Sequence, residues 1–106
     1  ETAVSVDDIV DQVPLNFSLD QNYPNPFNPT TSIVYGLKEK GNVTLAIYNL
    51  MGQEIRTLVN EVQTAGVRTV VWDAKDNNGF QVPSGVYIYQ LKTDHFTAGK
   101  KMILMK

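Results

Sequence analysis

The chain has 106 residues and no cysteine. That length fits one folding unit, and the missing thiols exclude disulfides, thiolate metal sites and cysteine nucleophiles. Apolar residues make up 42% and charged residues 19%, a globular composition. A net charge of -2 supplies no broad field for nucleic acid, and no apolar run approaches the ~20 residues of a membrane-spanning helix.

Residues 1–15 differ from the rest. Glu1, Asp7, Asp8 and Asp11 stand there without a lysine or arginine, and the valines keep neither a helical nor a strand period. They read as a linker from an upstream domain, with 16–106 as the folded unit. A start at Glu1 with neither methionine nor signal peptide reads as a piece of a longer polypeptide. A short strand is expected near 17–21. Residues 22–31, Asn-Tyr-Pro-Asn-Pro-Phe-Asn-Pro-Thr-Thr, carry three prolines in six positions. Each proline fixes φ near about −65° and removes an N–H, so a stiff extended loop follows, with Tyr23 and Phe27 burying their rings. It serves either as a rigid connection, the preferred reading, or as a polyproline recognition loop.

Strands follow in series. Ile33, Tyr35 and Leu37 share one face of 31–37, and Val43, Leu45 and Ile47 share one face of the next. Residues 54–62 are ambiguous. Ile55, Thr57 and Val59 alternate, yet Ile55, Leu58, Val59 and Val62 also keep helical spacing. A strand is favoured, because Thr57 and two valines resist helix. Residues 67–72 and 85–93 are further strands, the latter with Tyr87, Tyr89 and Leu91 on one face. Residues 100–106 form the last, with Met102 and Leu104 opposite Ile103 and Met105. Gly- and Asn-bearing turns separate these runs at roughly 8–14 residues, the pattern of an antiparallel β-sandwich of about seven strands.

Chemistry is sparse. Asp73, Asp76 and Asn78 cluster oxygen ligands, but Ala74 and Gly85 stand where a calcium loop needs an acid and a glutamate, so a capped hairpin is preferred over a bound ion. His95, the one histidine, lies beside Asp94 in an expected exposed turn, without the serine of a triad or the partners of a zinc site. Tyr35, Tyr48, Tyr87, Tyr89 and Trp72 would either fill the core or form a sugar-stacking platform. No set of residues assembles nucleophile, base and cleft, and no cofactor is expected.

Three stretches together resemble the type A C-terminal sorting domains of the type IX secretion system. The first is residues 17–31 followed by Ile33 and Tyr35. The second is Val-Thr-Leu-Ala-Ile-Tyr-Asn-Leu-Met-Gly at 43–52. The third is Trp72-Asp73, Gly79 and Val-Pro-Ser-Gly-Val-Tyr-Ile-Tyr at 82–89. The ending Lys100-Lys101-Met102-Ile103-Leu104-Met105-Lys106 is similar to the family's terminal lysine-bearing strand. The related immunoglobulin-like domain of flagellar hook-capping proteins shares much of the middle. The resemblance implies an all-β, immunoglobulin-like sandwich without catalysis that addresses an attached cargo for export. The cargo would pass through the periplasm to the outer-membrane surface or the medium. It implies an outer-membrane translocon, a shuttle protein and a surface sortase as partners, and coupling to anionic lipopolysaccharide. The corresponding recognition positions are Pro24, Pro26, Gly79, Gly85, Tyr87, Lys101 and Lys106, and cleavage would fall within 1–15. An ancillary carbohydrate-binding or adhesion module and a structural immunoglobulin-like segment are the alternatives.

Overall fold

Residues 13–106 are described by a computed structural model, and the linker expected at 1–15 falls mostly outside them. Among the described residues, seven strands form two antiparallel sheets. They are β1 (Ser18–Leu19), β2 (Thr31–Leu37), β3 (Gly41–Tyr48), β4 (Glu54–Gln63), β5 (Gly66–Trp72), β6 (Gly85–Thr93) and β7 (Thr97–Leu104). One sheet has the order β1-β2-β5 and the other β4-β3-β6-β7, so the chain is an immunoglobulin-like β-sandwich. Period-two alternation turns Ile33, Tyr35 and Leu37 of β2 toward Leu45, Ile47, Tyr89, Leu91 and Met102 of the facing sheet, all fully buried.

The helical spacing at 54–62 has a physical cause. Leu45 faces Val59 but Ala46 faces Thr57, and Ile47 faces Arg56 but Tyr48 faces Glu54. Leu58 and Ile55 are therefore extra residues in two bulges. Both lean onto the core as half-buried side chains, which breaks strict alternation within one continuous strand. The last strand lies at Thr97–Leu104, three residues earlier than expected, because Phe96 and Ala98 also pack on the core. The first is only two residues long, because the chain then turns into the proline loop.

That loop is not uniformly extended. Tyr23 and Ser32 exchange two backbone hydrogen bonds of 2.9 Å, closing it at its base. Its three X–Pro bonds are cis. Phe27 is buried as expected, but Tyr23 is 81% exposed, since residue 23 points to the outer face of the sheet beside Ser32.

Candidate functional site

The proline loop and the terminal strand, 78 residues apart, meet along the outer edge of β7. The Phe27 N–H donates to the Ile103 carbonyl, and the Met105 N–H donates to the Phe27 carbonyl, each at 2.9 Å. The Asn25 side-chain oxygen accepts from the Ile103 N–H at 2.9 Å. One residue pair of parallel bridge, Phe27 with Leu104, thus caps the carboxy-terminal half of an otherwise open edge. Gln21 extends the cap, its side-chain N–H donating to the Lys101 carbonyl at 2.7 Å.

A buried polar clamp holds the loop. Asn22 and Thr31 are almost fully buried. The Asn22 side-chain amide donates to the Thr31 hydroxyl and the Pro24 carbonyl, and the Thr31 hydroxyl donates to the same carbonyl. The Asn22 backbone N–H donates to the Tyr89 hydroxyl, which donates to the Asp20 carbonyl. Every buried donor in this set has a partner, as stability requires. The Phe27 ring lies 5.8 Å from Trp72, and Trp72 lies edge-on to Tyr87 at 5.6 Å. Tyr87 donates its hydroxyl to the Pro83 carbonyl at 2.6 Å, and burial raises its phenol pKa.

The structure thereby places Pro24 and Pro26 in a segment, residues 21–27, that bonds to the Lys101 carbonyl and to Ile103, and it links Tyr87 to Phe27 of that segment through Trp72. Gly85 pairs with Leu104 at the start of β6, and the Lys106 N–H donates to the Ser84 hydroxyl at 3.1 Å. Lys101 and Lys106 are exposed. Gly79 stands apart in the 73–82 turn, where its φ is +86°. Gly79→Ala therefore costs about 1–2 kcal/mol of stability, readable as a lower urea midpoint, even though the added Cβ meets open space. Sequence reasoning missed Gln21, Asn22, Asn25 and Tyr89. The carboxamides of the Asn-Tyr-Pro-Asn-Pro-Phe run were the available signal. Asn25→Ala removes one exposed hydrogen bond and lowers stability by about 0.5–1.5 kcal/mol, with faster hydrogen exchange at the Ile103 amide as its local mark.

The other candidates resolve plainly. Asp76 accepts from the N–H groups of Asn78 and Phe80, and Asp73 lies 4.0 Å from Arg56. This is the capped hairpin expected for the loop, and among the described residues no three acidic, histidine or cysteine side chains gather to hold a metal. His95 is exposed, 3.7 Å from Glu39. Tyr35, Tyr87, Tyr89 and Trp72 are all buried and offer no platform to a sugar ring, whereas Tyr48 is half-buried and lines a shallow groove with Ile88, Gln90 and Gly99.

The FlgD Ig-like domain family matches residues 28–95. The chain belongs to this family. FlgD from P. aeruginosa is 29% identical with a TM-score of 0.55, over 71% of this chain and 59% of that one. Dimeric latent PorU from Porphyromonas gingivalis has a TM-score of 0.67 at 18% identity, over 85% of this chain and 9% of that one. PorZ of the same organism, an essential bacterial surface component of its type-IX secretion system, has a TM-score of 0.53 at 20% identity, over 85% of this chain and 11% of that one. The FlgD-like domain thus spans a small fraction of PorU and PorZ, with which it shares the fold. No curated protein matches the sequence.

Proposed function

We propose that this FlgD-like domain is a non-catalytic sorting label that directs an attached cargo through a type IX secretion system. The observation that carries the reading is the docking of the proline loop on the lysine-bearing terminal strand, with Phe27 bonded between Ile103 and Met105. Two separate stretches of the sorting-domain resemblance form one surface there. The shared fold with PorZ supports the same reading. In it, the translocon and shuttle protein read the surface around Pro24, Pro26, Lys101 and Lys106 in the periplasm. A surface sortase then acts within residues 1–15 and couples the cargo to anionic lipopolysaccharide at the cell surface. Gly79, Gly85 and Tyr87 serve by holding the frame.

Deleting the terminal strand is a poor test, because Met102 and Leu104 are core residues. Charge reversal is cleaner. A reporter carrying this domain is expressed in a bacterium with type IX secretion, with Lys101→Glu and Lys106→Glu combined. Both side chains are exposed, so the melting temperature stays within a few degrees. Most of the reporter is expected to remain in the periplasm, while the parent domain sends it to the surface or medium. Undiminished secretion of the folded variant would exclude the lysines as the read positions. Failure of the parent domain to export the reporter would exclude sorting itself.

A further inference from the structure

Three of the four sheet edges are short, broken or capped. β1 has two residues, and β4 carries two register shifts and the charges of Glu54, Arg56 and Glu61. The proline loop covers part of β7. β5 has no such protection: it contains no proline and no bulge, and among the described residues nothing pairs with its outer side.

Hydrogen-bond phase identifies the open groups. Tyr23 and Ser32 bond reciprocally, and Asp20 donates to Val34, so the even-numbered residues of β2 direct their backbone groups toward β1. The odd ones then serve β5, where Trp72, Val70 and Arg68 are their partners. Val67, Thr69 and Val71 direct their N–H and C=O groups away from the sheet. The same three residues expose their side chains, Val67 by 58% and Val71 by 56%. The order Val67-Arg68-Thr69-Val70-Val71 is self-complementary about its centre. Turned end for end, Val67 meets Val71 and Thr69 meets Thr69.

We propose that a second copy of this chain adds to this edge, antiparallel, with a two-fold axis beside Thr69, to make a six-stranded sheet β1-β2-β5-β5-β2-β1. Each of the three facing pairs exchanges two backbone hydrogen bonds. Valine–valine and threonine–threonine contacts stabilise the seam. No like charges face each other on the outer side. Arg68 is the strand's one charged residue. It lies on the opposite face, with its guanidinium donating to the Thr64 carbonyl and hydroxyl. A single-strand seam falls well short of the roughly 1,200–2,000 Å² of a stable interface. Association is therefore weak, with a dissociation constant on the order of micromolar or higher.

The absence of native cysteine makes the register testable. Facing Cα atoms in a hydrogen-bonded pair lie about 5.5 Å apart, within disulfide reach. Thr69→Cys is expected to form a disulfide dimer under mild oxidation. Val67→Cys alone is expected to stay monomeric, but to cross-link when mixed with Val71→Cys. In sedimentation equilibrium the parent chain gains dimer with concentration. Thr69→Lys and Thr69→Glu each lose it at unchanged melting temperature, and their mixture regains it. Equal cross-linking at all three positions, or a parent chain that stays monomeric at millimolar concentration, would overturn the proposal. So would dimerisation seen only after removal of residues 1–12, which would assign the edge to the amino-terminal segment.

Discussion

Replacing Phe27 with alanine lowers the unfolding free energy by about 3–5 kcal/mol. The side chain is 2% exposed and its ring packs on Trp72. Removing it empties the space between the two sheets where β7 closes the sandwich. A domain of this size loses about 4–8 °C of melting temperature per kcal/mol, so the shift is large in a thermal scan. The backbone bonds of residue 27 to Ile103 and Met105 survive the substitution chemically, but they lose the anchor that holds the loop in place. The amides of position 27 and Met105 should therefore exchange faster together, beyond the change shared by the β3 and β6 amides. A loss below about 1 kcal/mol would contradict the role of this ring as the plug of the sandwich.

Tyr89→Phe has the second largest expected effect. The phenol is buried, accepts from the Asn22 N–H at 2.8 Å and donates to the Asp20 carbonyl at 2.6 Å. Without the hydroxyl, two polar groups lose their partner at a cost of about 1–3 kcal/mol. The same contacts give a pH signature. Burial, opposed by the Asn22 N–H and assisted by the charge of Asp20, pushes the Tyr89 pKa up to about 12. In the unfolded chain it is near 10. The stabilisation is fully present below about pH 10 and is lost as pH rises toward 12, at about 1.4 kcal/mol per unit from this residue. Tyr35 and Tyr87, raised chiefly by burial, act with the same sign. Urea melts of parent and Tyr89→Phe chains between pH 9 and about 12 should converge as pH rises. Parallel curves would contradict the assignment.

The sandwich was readable from sequence wherever one face of a strand is buried and the other wet. β2, β3 and β6 obey period two because their alternate residues meet the facing sheet. β4 was ambiguous because its two bulges insert Ile55 and Leu58, which mimic a helical period. The stiffness of the proline loop followed from its composition, whereas its path did not. That path depends on Asn22 finding Tyr89 and on Asn25 finding Ile103, partners 67 and 78 positions away. Local pattern holds no record of such pairings. The aromatic set was readable only as two alternatives, and burial in the finished core decided between them for every member but the half-buried Tyr48.

The seam between the proline loop and the final strand has a consequence for any factor that recognises it. Every residue of that surface is present in a nascent or misfolded chain, but the surface itself is not. It comes into being only when the proline loop and the final strand, far apart along the chain, have found each other. A receptor for it would sample conformational maturity together with identity, and would pass over unfinished molecules without a separate inspection step.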